Sequence, residues 1–340
     1  MLNRGRFWIF LVVLVTVIVY SSQSKEEEPL YSTIPIRVFF SPPQDLNHKL
    51  AEYISCAQES IKACFYSIKS EEVASALIRA HLRGVEVRVV MDESRLFEEG
   101  SFYPKLKNFG IVRIDTEVRG LMHNKFCIID ERIVWTGSYN PSRFSIYENN
   151  DVVVIESNEL AYIYTYQFEA LIDDRKVEKN ICFSRRITLD EQQMVEVYFS
   201  PEDSALILRR MRQLLEKADF SIYFAHFTFT RPDIAYLLIK KATDGVDVKG
   251  IMEYDQINRY SRYGDFELME IDVRKDKNYS FAFHHKFFII DGGIVITGSL
   301  NPTMAALKKN RENILIIHSP EVARIYMEYF KNLRKSWYRR

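Results

Sequence analysis

The chain has 340 residues, of which 47% are hydrophobic and 27% are charged. This composition is typical of a globular protein with two ordinary cores or one fused core, and it excludes a largely disordered chain. Lysine plus arginine equal aspartate plus glutamate at 46 each, so the formal net charge is zero. A general electrostatic attraction to polyanions is therefore excluded, and any phosphate site must be local.

The N-terminus contains the apolar run FWIFLVVLVTVIVY, residues 7–20. Arg4 and Arg6 precede this run and three glutamates follow it, an asymmetry that predicts a body outside the cytoplasm. The length suits the apolar region of an export signal, or an uncleaved anchor if flanking residues are included. We therefore expect residues 1–30 to be a signal peptide or membrane anchor. The protein would be anchored by residues 7–20, or secreted after cleavage, on the extracytoplasmic side.

Residues 35–175 alternate between strand-like and helix-like segments. The strand-like segments are rich in β-branched and aromatic residues, whereas the intervening segments show helical spacing of apolar residues. The order of strand, helix, strand, helix, strand predicts an α/β lobe with a mixed, largely parallel sheet flanked by helices. In chain order the segments are IRVFF (36–40), the helix 45–60, IKACFYSI (61–68), the helix 71–84, VEVRVVMD (85–92) and a closing helix at 157–172.

The stretch HNKFCIIDERIVWTGSYNPS, residues 123–142, carries the polar residues of this lobe. His123 and Lys125 are two apart on a predicted strand, so their side chains share one face. Asp130 falls at the following turn and is expected to be structural. The returning strand ends in Gly137, Ser138 and Asn140, where hydroxyl, amide and backbone donors can gather ahead of a helix. Cations and donors in this arrangement suit a phosphate group.

A charged stretch without apolar periodicity, residues 176–193, is expected to be a linker. Residues 194–340 then repeat the first lobe at an offset of 161, a duplication of about 150 residues, far longer than a solenoid repeat. The repeated motif is HHKFFIIDGGIVITGSLNPT, residues 284–303, in which Asp291-Gly292 is a hairpin signal. Its polar residues match those of the first copy: His284, Lys286, Asp291, Gly298, Ser299 and Asn301.

The duplication has a chemical reason. Cleavage of a phosphodiester through a covalent intermediate needs a nucleophile and an acid for the leaving group, and each copy offers one motif histidine. Two copies facing each other supply both, so one chain should be active as a monomer. No cluster of Cys, His and carboxylates shows metal-ligand spacing, so we expect no metal and no other cofactor.

The pattern HxKxxxxD followed by GSxN, present twice, resembles the phospholipase D superfamily over residues 35–337. The resemblance implies two duplicated α/β lobes related by a pseudo-twofold axis, with one active site at their junction. It also implies a metal-independent phosphodiesterase that works through a phosphohistidine intermediate.

Carried over residue by residue, the resemblance implies His123 as the nucleophile and His284 as the acid and base, although nothing in the spacing distinguishes the two. The other site residues fall into three groups. Those expected to hold the phosphoryl oxygens are Lys125, Lys286, Asn140 and Asn301; those expected to assist are Ser138 and Ser299; and those expected to orient the histidines are Glu148 and Glu312. Glu148 lies 11 residues after Gly137, whereas Glu312 lies 14 residues after Gly298, so the position of Glu148 departs from the repeat.

The substrate is left open by the motifs, because lipid-cleaving, lipid-transferring and nuclease members of the superfamily share one mechanism. The membrane-proximal N-terminus and the 14% aromatic content favour a phospholipid. The small lobes resemble nuclease members, although the balanced charge lacks the basic excess that grips a polyanion. We therefore expect phospholipid hydrolysis, with a DNA- or RNA-cleaving endonuclease as the alternative and a cardiolipin synthase-like phosphatidyl transferase as a third possibility. A binding module without activity is disfavoured, since both copies keep every motif residue.

Overall fold

The computed structural model of the chain describes residues 36–115, 120–172 and 185–335. The predicted signal or anchor at residues 1–30 and the first part of the predicted linker lie outside the described residues. Within the described part, none of the helices combines the length and the apolar character that crossing a membrane requires.

The first lobe follows the predicted alternation and adds elements around it. Its elements are β1 (Ile36–Ser41), α1 (Leu46–Cys56), β2 (Ser60–Phe65), α2 (Glu71–Leu82), β3 (Glu86–Asp92), α3 (Tyr103–Asn108), β4 (Val112–Asp115), β5 (Lys125–Ile129), β6 (Ile133–Gly137), β7 (Asn150–Glu156) and α4 (Asn158–Ile172).

The second lobe repeats the order after one extra strand at its start. Its elements are β8 (Arg186–Thr188), β9 (Met194–Ser200), α5 (Ser204–Glu216), β10 (Ser221–His226), α6 (Pro232–Thr243), β11 (Asp247–Met252), α7 (Tyr263–Leu268), β12 (Asp272–Lys275), β13 (Lys286–Ile290), β14 (Ile294–Gly298), α8 (Met304–Lys308), β15 (Glu312–His318) and α9 (Pro320–Lys335). Strand β8 falls inside the stretch 176–193 that was predicted as linker, and it pairs with β9.

Helix α2 shows how local sequence sets these boundaries. The Ser70 hydroxyl accepts a hydrogen bond from the Val73 amide and so caps the first turn. Glu71 and Glu72 follow in that turn, where carboxylates favour the positive end of the helix dipole. The helix ends just before Gly84, whose φ of 95° is the left-handed conformation that glycine adopts without steric cost.

The sheets are mixed and the lobes are duplicated, as predicted, but the expectation of largely parallel sheets is wrong. The first sheet has the order β1-β7-β6-β5-β2-β3-β4, and the second has β12-β11-β10-β13-β14-β15-β9-β8. Among the strands of the described residues, only the pairs β2–β3, β3–β4, β10–β11 and β11–β12 are parallel. The reason is that the motif hairpin and β7 insert between β1 and β2, so β1 pairs antiparallel with β7 instead of with its neighbour in sequence.

The duplication extends to strand register. Phe65 pairs with Lys125 in the first sheet, and His226 pairs with Lys286 in the second, each shifted by the same 161 positions. A cluster of buried apolar residues draws side chains from both sheets and from α4 and α9. The two lobes therefore share a fused core, which fixes one motif relative to the other.

Candidate active site

Each motif histidine lies two residues before a strand and is held by the backbone of the opposite lobe. The His123 amide donates to the Arg311 carbonyl at 2.9 Å, just before β15. The His284 amide donates to the Asn149 carbonyl at 2.8 Å, just before β7. Because each hydrogen bond crosses between the copies, the two histidines are brought to one junction.

The imidazole of His123 is oriented by Glu312 of the second lobe. Glu312 Oε2 lies 2.8 Å from His123 Nδ1, and the carboxylate is fully buried. The Ser299 hydroxyl donates to the same oxygen at 2.6 Å. The predicted pairing of Glu312 with a histidine therefore appears in the geometry, and the partner is the histidine of the other copy.

The imidazole of His284 has a different partner from the predicted one. Its Nδ1 lies 3.0 Å from Asn150 Oδ1, and the Ser138 hydroxyl donates to that oxygen at 3.1 Å. Glu148 instead accepts a hydrogen bond from the Ser142 hydroxyl at 3.2 Å. The expectation that Glu148 orients one of the motif histidines is therefore wrong, and the side chain behind His284 is that of Asn150.

Asn150 occupies the position in β7 that Glu312 occupies in β15. Asn150 pairs with Ser41 of β1, and Glu312 pairs with Ser200 of β9. Aligning the apolar runs VVVI and ILII, which follow directly, would have revealed the equivalence at an offset of 162. Glu148 carries the charge expected for this role, but it lies two residues before the equivalent position.

Two buried lysines complete the junction. Lys125 Nζ donates to the His123 carbonyl at 2.7 Å, and Lys286 Nζ donates to the His284 carbonyl at 2.6 Å. Burial lowers the pKa of Lys125 to about 7, although the Glu312 carboxylate opposes the shift. Burial, and then the charge of Lys125, lowers the pKa of Lys286 well below its usual value. A bound anion would stabilise the charged forms of both lysines in this buried site.

Burial also lowers the pKa values of both histidines. For His123 the Glu312 carboxylate works against this effect. For His284 the charges of Lys286 and Lys125 add to it, so its pKa falls well below the usual value. The two imidazoles therefore differ in how readily they hold a proton.

The remaining predicted residues take several places. Ser138 and Ser299 contact the groups behind the histidines, as described above. Asn301 Oδ1 accepts from the Thr228 amide at 3.3 Å, whereas Asn140 Oδ1 is buried with no hydrogen-bond partner among the described residues. A role for these two amides in holding phosphoryl oxygens stays a prediction.

The motif aspartates and glycines have contacts that explain their presence. Asp130 accepts hydrogen bonds from the amides of residues 58–60, and Asp291 from those of residues 219–221, so each carboxylate ties its hairpin to the strand beside it. Gly137 and Gly298 have φ values of 155° and 141°. A Cβ at Gly137 would lie 2.2 Å from a backbone oxygen, and one at Gly298 would lie 2.4 Å from another.

Sequence reasoning missed two carboxylates that hold the segments leading into the motifs. Asp92 Oδ2 accepts from the Met122 amide at 2.7 Å, and Glu253 accepts from the Phe283 amide. They are equivalent at the offset of 161: Asp92 is the last residue of β3, and Glu253 directly follows β11. That offset could have found them, because it pairs one acidic residue with another.

His285, which directly follows His284 in the second motif, is fully buried. Its Nδ1 lies 2.8 Å from Asp151 Oδ1, and its Nε2 lies 3.1 Å from the Tyr329 hydroxyl. Burial alone would raise the pKa of Asp151, but the hydrogen bond and charge of His285 bring it below the usual value. This pair joins β7 of the first lobe to the second lobe, beside the catalytic motif.

A model of the family described as "Cardiolipin synthase, PLD-like domain" matches residues 50–172 and 211–334, one match in each lobe. The chain belongs to the phospholipase D superfamily. A phospholipase D of Rickettsia felis is 39% identical over 127 residues, which are 37% of this chain and 63% of that protein. A mitochondrial cardiolipin hydrolase of Chlamydomonas reinhardtii is 29% identical over 126 residues, 37% of this chain and 56% of that protein.

These relatives of the superfamily match over about one lobe, and the chain spans less than two-thirds of their length. Among solved structures, the phosphatidylserine synthase of Haemophilus influenzae matches 88% of this chain and 86% of its own, with a TM-score of 0.68 and 14% identity. That likeness supports the two-lobed fold and nothing finer.

Proposed function

We propose that this member of the phospholipase D superfamily is a phosphodiesterase that hydrolyses phospholipids through a phosphohistidine intermediate. Support for the chemistry comes from two imidazoles and two lysines at one buried junction. One imidazole can attack phosphorus while the other protonates the leaving oxygen, and the lysines can neutralise the phosphoryl oxygens. The relatives named phospholipase D and cardiolipin hydrolase fit the same reaction class.

The observation that favours a lipid is a ledge of aromatic side chains beside His284. We call Phe144, Tyr147, Tyr254, Tyr279 and Phe281 the aromatic ledge. The Phe281 ring stacks on Tyr147 at 4.9 Å and lies 5.7 Å from Phe144, while Tyr279 lies 5.2 Å from Tyr254. Phe144 is 42% exposed, Tyr147 is 54% exposed and Tyr279 is 67% exposed.

The aromatic ledge is tied to the catalytic junction through backbone hydrogen bonds. The Asn149 amide donates to the Ala282 carbonyl at 2.9 Å, and the Asn149 carbonyl accepts from the His284 amide. Exposed clusters of Tyr and Phe rings are typical of surfaces that meet the membrane–water interface. A bilayer in contact with the ledge would lie next to His284.

A cavity of about 550 Å³ opens beside the aromatic ledge. It is lined in part by Ile146, Ile251, Phe283 and Leu333, together with Tyr147 and Phe281 of the ledge. Its size is typical of a ligand pocket, and the apolar part of its wall would suit an acyl chain, while Asp276, Lys277 and Asn278 line a polar part. We further propose that residues 7–20 keep the body close to the membrane that supplies the substrate, outside the cytoplasm, and that the enzyme acts as a monomer.

The test uses the full chain in mixed micelles, assayed on phospholipid vesicles, on single-stranded DNA and on a soluble aryl phosphodiester. We expect head-group release from vesicles that persists in EDTA, because lysines and amides supply the donors to the phosphate. Cleavage of DNA without cleavage of lipid would contradict the proposal in favour of a nuclease. Formation of a new phosphodiester with an added alcohol, in place of hydrolysis, would indicate a transferase.

A matched pair of variants isolates the aromatic ledge. Tyr147→Ser should lower vesicle hydrolysis about tenfold while activity on the soluble diester is retained, because the variant weakens contact with the membrane and with the acyl chain, neither of which the soluble diester uses. Tyr236→Ser is the control, since Tyr236 is 73% exposed on α6, away from the catalytic motifs. Equal loss in both variants, or equal loss on both substrates, would argue against a lipid surface at the ledge.

A further inference from the structure

An aromatic ring faces the catalytic junction from each lobe, just past a strand that pairs with the motif hairpin. Strand β2 pairs with β5, and Tyr66 directly follows its last residue. Strand β10 pairs with β13, and Phe227 directly follows its last residue. The two rings are therefore equivalent at the offset of 161, although neither belongs to the HxK or the GSxN pattern.

Each ring lies over the motif lysine of its own lobe. Lys125 Nζ is 5.6 Å from the centroid of the Tyr66 ring, and Lys286 Nζ is 5.2 Å from the centroid of the Phe227 ring. An ammonium group within about 6 Å of a ring centroid is attracted by the negative face of the ring. The same contact with a cation is therefore made twice, once in each half of the junction.

The rings also contact the motif histidines. The Tyr66 ring meets the His123 imidazole edge to face, with centroids 5.2 Å apart, and the Phe227 ring meets the His284 imidazole in the same way at 5.0 Å. Each imidazole is also held by a hydrogen bond at Nδ1. The hydrogen bond and the ring together restrict the plane of the imidazole.

The loops that follow β3 and β11 support the two rings from outside. The Tyr66 hydroxyl accepts a hydrogen bond from Arg95 Nε, and the Arg95 guanidinium lies 4.6 Å from the centroid of the ring. At the equivalent position, Gln256 accepts a hydrogen bond at 3.2 Å from the hydroxyl of Thr228, the residue after Phe227. Each ring therefore has a fixed place in its own lobe.

We propose that Tyr66 and Phe227 are positioning residues whose ring faces hold Lys125 and Lys286 as ammonium groups and so strengthen anion binding at the junction. Burial lowers the pKa of both lysines and thereby favours the neutral amines, which bind an anion poorly. A ring opposes this effect without placing a second negative charge beside the phosphate. The inference rests on the proposed function, because the anion concerned is the phosphoryl group of the substrate.

The first test measures sulfate binding to the full chain in mixed micelles by calorimetry. Tyr66→Leu and Phe227→Leu each remove one ring and should weaken sulfate binding about 3- to 30-fold, the range expected for a desolvated cation–π contact. Tyr66→Phe keeps the ring and should keep the affinity within about twofold, since the hydroxyl is not the group that attracts the lysine. An equal loss in Tyr66→Phe and Tyr66→Leu, or no measurable binding to the wild type, would overturn the proposal.

Fluorinated phenylalanines at position 227 separate the charge distribution of the ring from its shape, and they avoid the cavity that leucine leaves. Each added fluorine weakens the negative face of the ring with little change in volume, so the affinity for sulfate should fall step by step from one to three fluorines. The same series at Phe229, which packs in the apolar core of the second lobe, is the control and should leave the affinity unchanged. A constant affinity along the series at position 227, or an equal fall in both series, would overturn the proposal.

The pH dependence of sulfate binding is a readout that a merely structural role would not move. Without its ring, a lysine loses its proton more readily, so in each leucine variant the affinity should begin to fall at a pH lower by about 1 unit than in the wild type. An onset that stays at the wild-type pH would contradict the proposal. The variants leave unchanged the charged and titratable groups around the lysines, which are Glu312, Asp92, Asp151, Glu148 and the two motif histidines.

Sulfate binding requires no turnover, so this inference and the proposed function can fail separately. If the rings set the affinity for sulfate and the wild type hydrolyses no phosphodiester, the proposed function has failed and the role of the rings at an anion site stands. If the wild type hydrolyses phospholipids and loss of the rings leaves sulfate binding unchanged, the role of the rings alone has failed.

Discussion

Glu312 Oε2 of the second lobe lies 2.8 Å from His123 Nδ1 of the first, so one half-site is completed only by the other copy. His284 depends in the same way on Asn150 of the first lobe. Neither lobe contains a histidine together with the side chain that orients it. The duplication therefore produces one interlocked site, in which each motif is held by the opposite lobe.

Replacing Glu312 should impair catalysis without unfolding the protein. Glu312→Gln keeps the shape and a hydrogen bond to Ser299 but removes the charge behind His123, so we expect kcat/KM on an aryl phosphodiester to fall about 10- to 100-fold. Glu148→Gln discriminates between the predicted and the observed partner, because Glu148 contacts the side chains of Ser142 and Asn150 and not a histidine. A larger loss in Glu148→Gln than in Glu312→Gln would contradict the assignment made from the geometry.

The crossed hydrogen bonds also predict the behaviour of half-chains. A protein that ends near residue 180 lacks Glu312 and Arg311, so His123 loses both its side-chain and its backbone partner. We expect no turnover from this half as a monomer, measured by size-exclusion chromatography with activity across the fractions. Coexpression with residues 181–340 should restore turnover, whereas full activity in a strictly monomeric half would show that the second motif is dispensable.

The buried pair of Asp151 and His285 should be important for stability. Removing one partner leaves the other uncompensated in the interior, so His285→Ala should lower the free energy of unfolding by about 3–5 kcal/mol in urea denaturation. The other copy supplies a matched control, because it has Asn124 and Asn313 at the equivalent positions. The double variant Asp151→Asn/His285→Asn should therefore be more stable than His285→Ala. If it is less stable, an uncompensated hydrogen-bond partner in the interior is not the reason for the loss.

The crowded lysines predict a stability gain when one is removed. Lys286→Met keeps the length of the side chain but removes a buried amine whose pKa is lowered by desolvation, so unfolding should become harder by ~0.5–2 kcal/mol while activity is lost. The Lys286 amine binds a proton more readily in the unfolded chain than in the folded chain. The gain in stability should therefore be present at neutral pH and should shrink as pH rises toward roughly 10, where the amine loses its proton in the unfolded chain too. Urea denaturation at several pH values measures it, and a destabilised Lys286→Met protein would contradict this account.

Anion binding should be linked to proton uptake. In the free protein the pKa of Lys125 is about 7, and a bound anion favours the ammonium and raises it. Sulfate does not itself titrate in this range. When it binds near pH 8, the protein should therefore take up protons, and the affinity for sulfate should fall as pH rises. Calorimetry in two buffers of different ionisation enthalpy measures the uptake. Binding without proton uptake, together with an affinity independent of pH, would show that the lysines are already charged and would contradict this prediction.

The sequence by itself determined the duplication, the motifs and the fold class. The offset of 161 follows from comparing two stretches of sequence, and each HxK and GSxN pattern is a local signal. The period of the apolar residues likewise specifies strands and helices without reference to distant parts of the chain. The placement of Asp130 and Asp291 at hairpin turns also follows from local spacing, because turn chemistry depends on neighbours in sequence.

Tertiary structure alone decided the order of the strands and the partners of the histidines. The insertion of the motif hairpin between β1 and β2 makes most strand pairs antiparallel, which no local pattern reveals. Likewise, Asn150 and Glu312 reach their histidines across the lobe interface, over 134 and 189 positions of sequence. Hydrogen bonds at such separations depend on how the fused core docks the lobes, so the chemical difference between the two half-sites becomes apparent only in the folded chain.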